Sequence, residues 1–175
     1  MKAARVLAGA LFFVLSAAGA MAEEPEKKGI DALFEATMMN LHGEPMPLSQ
    51  FRGKPLVISF WSRMCFSCRD KFPELMALQA EYKKQGLIVL GIAINIDVAL
   101  DEDPVKVREF LAAYGVDYPV ALAGKQGTSL MQALGNERAY LPFVLLIDRE
   151  GMVVSSKYGI FEVSDFQSVV RRLLQ

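Results

Sequence analysis

Two continuous runs of apolar residues stand out along the chain and predict buried strands. They cover residues 55–61 and 87–94, and neither alternates between apolar and polar positions. A strand that is covered by helices on both faces has this uninterrupted pattern. Between the runs, apolar residues recur near the spacing of one helix face and predict a helix over 66–85, which Gly86 ends. These apolar residues are Phe72, Leu75, Leu78 and Tyr82.

The second half of the chain continues the alternation of strands and helices. A helix is predicted after Asp103-Pro104, an N-cap followed by proline at the first helical position, and Gly115 ends it. A short strand near Val120, a small helix over 128–134 and a hairpin of 143–147 with 152–158 come next. Ser164 and Gln167 form a capping-box pattern for a last helix that ends near Leu174. The order of elements predicts one α/β domain without internal repeats.

The first 22 residues have the layout of a secretory signal peptide. Lys2 and Arg5 precede an apolar run, and small residues lead to Ala20-Met21-Ala22, after which cleavage is expected. An uncleaved membrane anchor is the alternative, but only 17 residues (6–22) lack charge, whereas a bilayer requires about 20 apolar residues. Export places the mature chain in an oxidising compartment, and we expect the periplasm.

Behind the signal segment we expect a flexible linker over 23–32 and one domain over 33–175. The linker prediction rests on its polar residues and Pro25. Residues 34–48 predict a short β-hairpin with its turn at 42–45.

Composition limits the classes of function. The chain has 175 residues, of which 53% are hydrophobic and 22% charged, so it can bury a core. Its formal net charge is −1 and it has no basic tract, so binding to nucleic acid is not expected. We expect a monomer.

The candidate chemistry lies at Cys65 and Cys68, the only two cysteines of the chain. They follow a predicted buried strand and open a helix, where unpaired N–H groups and the helix dipole stabilise a thiolate. Cys65 is therefore expected to attack a disulfide and Cys68 to resolve the mixed disulfide. Arg63 and Arg69 flank the pair, and Arg63 in particular is expected to lower the pKa of Cys65. A collar of Trp61, Met64, Phe66 and Phe143 would have the opposite effect through desolvation.

Other interpretations of the cysteine pair are weaker. A zinc site needs four ligands, and only His42, in a predicted turn, could supplement the pair. A structural disulfide across so short a loop would stabilise the fold by only about 2 kcal/mol. Nine methionines, with Met38, Met39 and Met46 near the hairpin, are more typical of core filling than of a copper site. No metal is expected.

The segment 60–68 with Phe72-Pro73 resembles the active-site region of thioredoxin-like proteins, and more closely the exported TlpA/ResA branch. Segments 48–54 and 141–151 agree with it. The resemblance implies an α/β thioredoxin fold, in which helices flank a central mixed β-sheet, with an N-terminal β-hairpin extension. It implies dithiol–disulfide exchange without a cofactor and a helix kink at Pro73. It also implies that Pro142 is a cis-proline, with Trp61, the Leu141 backbone and Pro142 binding substrate.

The chain departs from this pattern at several positions near the cysteines. Met64 stands where the family usually has a second tryptophan, and Phe143 replaces a common threonine after the cis-proline. Lys71 stands where reducing members often have a glutamate, and Ser59 where ordinary thioredoxins have a buried aspartate. Asp70 and Glu74 lie nearby, and we expect both on a solvated helix face.

The leading functional expectation is an enzyme that reduces disulfides of exported proteins, for example in cytochrome c maturation or copper-centre assembly. By resemblance, a membrane thiol donor of the DsbD/CcdA type would be its reductant. A thioredoxin-fold copper chaperone is an alternative. Those proteins carry C-x-x-x-C and a histidine further along the chain, whereas this sequence has C-x-x-C and no histidine after His42. A thiol peroxidase is the other alternative. Ser62 fits its pattern, but Ile58 stands at its proline position.

Overall fold

A computed structural model describes residues 25–95 and 103–175 of the chain, so the predicted signal segment 1–22 lies outside the described residues. The α-helices are α1 (Pro25–Glu35), α2 (Phe66–Arg69), α3 (Lys71–Tyr82), α4 (Pro104–Ala113), α5 (Gly127–Ala133) and α6 (Gln167–Leu173). The strands are β1 (Thr37–Asn40), β2 (Pro45–Pro47), β3 (Leu56–Trp61), β4 (Ile88–Ala93), β5 (Val120–Leu122), β6 (Phe143–Ile147) and β7 (Val153–Tyr158). None of the described helices is long and apolar enough to cross a membrane.

The strands form one mixed sheet in the order β2-β1-β5-β4-β3-β6-β7. The β3–β4 and β4–β5 pairs are parallel, whereas β3–β6 and β6–β7 are antiparallel. The predicted N-terminal hairpin forms β1 and β2, and β1 joins the sheet beside β5. This arrangement confirms the thioredoxin-like architecture with an N-terminal hairpin extension.

The sheet separates two apolar cores, and β3 contributes to both. All six residues of β3 are buried, as the uninterrupted apolar run predicts. Because successive strand residues point to opposite faces, Val57 and Trp61 pack with α3, α4 and α6. Leu56, Ile58 and Phe60 pack with α1 and α5 on the other face.

The long helix predicted over 66–85 is divided in the structure. It breaks at Asp70, where α2 ends and α3 begins. Pro73 has no N–H to donate to the carbonyl of Arg69, four residues earlier, so a continuous α-helical ladder cannot form there. A 3₁₀ turn over Lys83–Gln85 and Gly86, with φ of 94°, end α3 as predicted.

The capping box predicted for the last helix does not form. Val163–Phe166 is a 3₁₀ turn that precedes α6, and no side-chain cap hydrogen bond is made at its start or at the start of α6. The N–H of Val163 instead donates to Glu74 Oε2 at 2.8 Å. A side chain that is distant in sequence thus replaces the local cap. The predicted cap of α4 does form, since Asp103 Oδ1 accepts from the N–H of Val105 at 2.9 Å.

The N-terminal region differs from the prediction. Of the residues 23–32 expected to form a flexible linker, those from Pro25 onward belong to α1. The apolar residues Ile30, Leu33 and Phe34 follow helical spacing and are buried in the core that contains Phe60. Their burial stabilises the helix. The polar residues at the start of the helix gave no sign of it in the sequence.

Gly29 is where α1 crosses α5. A β-carbon at Gly29 would lie 2.1 Å from the carbonyl oxygen of Ala133. We therefore expect Gly29→Ala to lower the free energy of unfolding by about 1–3 kcal/mol, measured by urea denaturation, because the two backbones must separate. In a solvent-exposed helix or a flexible linker the same change would be neutral or stabilising by up to ~1 kcal/mol, and that result would contradict the packing of α1.

Candidate active site

The candidate site forms at one edge of the sheet, where β3 ends and β6 begins. Phe60 of β3 pairs with Phe143 of β6, so Trp61 and Pro142, the next residue outward on each strand, reach the same edge. The loop from Ser62 to Cys65 continues from β3 and leads into α2. Two segments that are about 80 residues apart in sequence are brought together here by antiparallel pairing alone.

Cys65 and Cys68 form a disulfide across the start of α2. Cys65 is the N-cap residue, and its Sγ accepts a hydrogen bond from the N–H of Cys68 at 3.2 Å. Ser67 Oγ lies 3.5 Å from the same sulfur. The same two donors, if kept in the reduced protein, would stabilise the charge of a Cys65 thiolate.

The two cysteines differ in exposure. Cys65 is partly exposed, whereas only 1% of the Cys68 surface is accessible. A protein disulfide can therefore approach Cys65 but not Cys68. The predicted roles of attacking and resolving thiol rest on this difference.

Two arginines border the dithiol. Arg69 Nη2 donates to the backbone oxygen of Arg63 at 2.8 Å. The Arg69 guanidinium carbon lies 4.4 Å from the ring centre of Phe66 and 5.6 Å from that of Phe110. Arg63 is half-buried beside the loop, and its effect on the pKa of Cys65 stays a prediction.

The aromatic residues near the dithiol divide into a buried and an exposed set. Trp61 is only 1% exposed and stacks on Phe110 with ring centres 5.8 Å apart, so this burial argues against the predicted direct contact with substrate. Phe143 is also buried and stacks on Phe60. Met64 and Phe66, by contrast, are 72% and 75% exposed. Of the four residues expected to form a collar, Phe143 lies in the opposite core, whereas Trp61 belongs to the core against which Cys65 packs. The desolvating effect of Trp61, Met64 and Phe66 on Cys65 stays a prediction.

The Leu141–Pro142 peptide bond is cis, as the resemblance implies. Leu141 is partly buried and packs against both cores. The N–H of Gly159, beyond β7, donates to the Pro142 carbonyl at 2.9 Å and places Ile160 next to this loop. The predicted binding of substrate to the Leu141 backbone and Pro142 stays a prediction.

Asn136 holds the loop before the cis-proline in place. This role of Asn136 was not identified in the sequence. Its buried amide donates to the Tyr140 carbonyl at 2.8 Å and accepts from the Tyr140 N–H at 3.1 Å. Within this turn Ala139 adopts a φ of 51°, which non-glycine residues rarely do. A Gly-Asn pair after a helix was the available signal, because asparagine often bonds to the backbone of its own turn.

Lys71 is buried near the start of α3 and pairs with two carboxylates. Its Nζ lies 2.9 Å from Glu74 Oε1 and 3.2 Å from Glu162 Oε2. Burial by itself lowers the pKa of Lys71, but the hydrogen bonds and negative charges of Glu74 and Glu162 outweigh it, so the pKa is raised. Glu74 is therefore not the solvated side chain that was expected, whereas Asp70 is exposed.

The residues considered for metal binding lie apart from the dithiol. His42 is exposed in the hairpin turn, and Met38 is buried in the core with Phe60. Among the described residues, no group of three or more His, Cys, Asp or Glu side chains is placed to hold a metal ion.

The amide of Asn136 can be tested by two substitutions. Asn136→Ala leaves the part-buried N–H and carbonyl of Tyr140 without their partner, and we expect a loss of about 1–3 kcal/mol in the free energy of unfolding. Hydrogen exchange at the Tyr140 amide should accelerate in the same variant. Asn136→Asp can still accept from that amide, so protection should be retained in part. Equal protection in wild type and Asn136→Ala would show that the turn does not need the amide.

Comparisons with known proteins agree with this geometry. The sequence matches the Redoxin family over residues 26–171. Thiol-disulfide oxidoreductase ResA of Bacillus cereus is 27% identical over 154 residues, which cover 88% of this chain and 83% of the relative. Protein DipZ of Mycobacterium tuberculosis is 30% identical over 151 residues, but these cover 86% of this chain and only 20% of DipZ.

Solved structures share the fold. A secreted thiol-disulfide isomerase from Corynebacterium glutamicum superposes with a TM-score of 0.69 at 21% identity, covering 81% of this chain and 84% of that one. A putative thiol:disulfide interchange protein DsbE from Chlorobium tepidum superposes with a TM-score of 0.64 at 24% identity, covering 80% of this chain and 93% of that one. Together with the Cys65–Cys68 disulfide at the start of α2, these matches assign the chain to the Redoxin family as a thiol–disulfide oxidoreductase of the TlpA/ResA type.

Proposed function

We propose that this oxidoreductase reduces disulfides of exported proteins in the periplasm, in the assembly of cytochrome c or of a copper centre. The observation that carries the proposal is the open, apolar surface around Cys65. Met64 and Phe66 are largely exposed on either side of Cys65, and Ile160 is fully exposed beside the cis-proline loop. Exposed apolar side chains grouped at one place are typical of a surface that binds another protein.

The reaction follows from the positions of the two sulfurs. The Cys65 thiolate attacks one sulfur of a substrate disulfide, and the other substrate sulfur leaves as a thiolate that takes up a proton. Cys68 then loses its proton and attacks Cys65 Sγ, so the substrate leaves as a dithiol and the protein keeps the Cys65–Cys68 disulfide. Burial does not prevent this second step, because Cys68 needs to reach only Cys65.

The proposed cellular setting is inferred from the first residues of the sequence and from the relatives. The signal-peptide pattern of residues 1–22 favours export with cleavage over a membrane tether through an uncleaved segment. ResA is named a thiol-disulfide oxidoreductase, and the Corynebacterium glutamicum neighbour is described as secreted. A membrane thiol donor of the DsbD/CcdA type is our proposed source of electrons.

Trapping with cysteine variants tests the mechanism and identifies substrates. In Cys68→Ser the attack by Cys65 cannot be resolved internally, so mixed disulfides with exported proteins should accumulate and be recovered by non-reducing purification. Cys65→Ser is the matched control and should trap nothing, because Cys68 is buried. Trapping by Cys65→Ser but not by Cys68→Ser would reverse the assigned roles.

The reduction potential tests whether the protein is a reductant. Phe66 and Ser67, the residues between the cysteines, carry no charge that would stabilise the thiolate strongly. We therefore expect a potential nearer that of thioredoxin, about −270 mV, than that of DsbA, about −120 mV, in equilibrium with glutathione or dithiothreitol buffers. Arg63→Ala should make the reduction potential more negative, because a cation that favours the thiolate is lost. Arg172→Ala on α6 should leave the potential unchanged. A potential near −120 mV would identify an oxidant.

A further inference from the structure

A groove runs along the side of the active-site helix away from the cis-proline loop. It has a volume of about 670 Å³ and is lined by Phe66, Arg69, Asp70, Pro73 and Tyr114. Tyr114 follows α4, the helix between β4 and β5, while Pro142 precedes β6. Because β4 and β6 flank β3 on opposite sides, the groove and the cis-proline loop lie on opposite sides of the dithiol.

The wall of the groove is a set of packed aromatic rings. Tyr114 lies 5.6 Å from Phe72 and 5.0 Å from Phe110, measured between ring centres. Phe110 in turn stacks on buried Trp61. Rings held by one another in this way form a wall that loses little entropy when a ligand packs against it.

One cation, Arg69, lines the groove and is held by the backbone of Arg63. Arg69 Nη2 donates a hydrogen bond to the backbone oxygen of Arg63, and the guanidinium group of Arg69 lies over the ring of Phe66. No carboxylate of the described residues forms an ion pair with Arg69, and its Nε is buried without a hydrogen-bond partner. An oriented guanidinium beside apolar rings is suited to a carboxylate that adjoins an aromatic side chain.

We propose that this groove is a second docking site for the disulfide-bearing partner, and that it takes an aromatic side chain next to one carboxylate. The aromatic side chain packs against Phe66 and Tyr114, and the carboxylate meets Arg69. Asp70 on the same groove repels a second carboxylate and so favours a single acidic residue. This docking site rests on the proposed reduction of protein disulfides. It specifies in addition the residues that flank the disulfide in the partner.

Because Phe66 directly follows Cys65, a polypeptide bound in the groove passes close to the attacking sulfur. A substrate held there and at the cis-proline loop is held on both sides of Cys65. Such positioning raises the rate for matching sequences without changing the chemistry of exchange.

Three disulfide peptides that differ at one residue beside the cysteine test the groove. They carry Phe-Glu, Phe-Gln or Phe-Lys, and hydroxyethyl disulfide serves as a small uncharged reference. Second-order rates are measured with the reduced full chain, and every peptide rate is divided by the hydroxyethyl disulfide rate of the same variant. This division removes any general change in thiol reactivity.

We expect wild type to prefer the Phe-Glu peptide over the Phe-Lys peptide by about tenfold, the size of one charge-assisted contact. Arg69→Gln should reduce the preference to within about twofold, and Arg69→Glu should reverse it. Arg172→Gln removes a remote exposed arginine and should retain the wild-type preference. If Arg69→Gln does not fold, Arg69→Lys keeps the charge without the planar fork and should keep a smaller preference of the same sign.

Equal rates for the Phe-Glu and Phe-Lys peptides in wild type, with rapid reduction of hydroxyethyl disulfide, would overturn the groove proposal alone. A wild-type preference that persists in Arg69→Glu would overturn it as well. Failure of the reduced protein to react with hydroxyethyl disulfide would instead overturn the proposed function and, with it, this site.

Discussion

Hydrogen bonding of β3 to both β4 and β6 is the constraint on which the site depends. β3 pairs along its whole length with β4 and over five of its residues with β6, and none of its side chains is exposed. The strand therefore has little freedom to shift, and the loop from Ser62 to Cys65 leaves it from a fixed point. Antiparallel pairing with β6 brings the cis-proline loop to the same edge, so one strand positions both halves of the site.

The polar residues around the dithiol act mainly by holding backbone segments. The Lys71–Glu74–Glu162 cluster ties the start of α3 to the chain before α6, since Glu74 also accepts from the Val163 N–H. Asn136 does the same for the cis-proline loop. Lys71 is the buried member of its cluster, so loss of Glu74, its less exposed partner, would leave a buried charge with less compensation.

The departures from the family pattern have a common structural consequence. Where a proton-transferring carboxylate is usual, this chain has buried Ser59 and the paired cation Lys71. The polar contacts of Cys65 Sγ therefore come from the N–H of Cys68 at the start of the helix and from Ser67, and the effect of Arg63 stays a prediction. Exposed Met64 and Phe66 then make the immediate surroundings of the reactive sulfur apolar and accessible, in keeping with the polypeptide substrate that we propose.

Much of the fold and the chemistry could be predicted from the sequence, because local patterns carry them. Uninterrupted apolar runs identified β3 and β4, Asp103-Pro104 identified the start of α4, and the cysteine spacing after a buried strand identified the reactive pair. Only the tertiary structure decided the rest. The helical state of residues 25–32, the burial of Trp61 and Phe143, the clamp by Asn136 and the pairing of Lys71 with Glu162 all depend on contacts with distant segments. Apart from the helical spacing of Ile30, Leu33 and Phe34, such contacts leave no periodicity in the sequence, because the free energy that favours them comes from surfaces that meet only after the chain has folded.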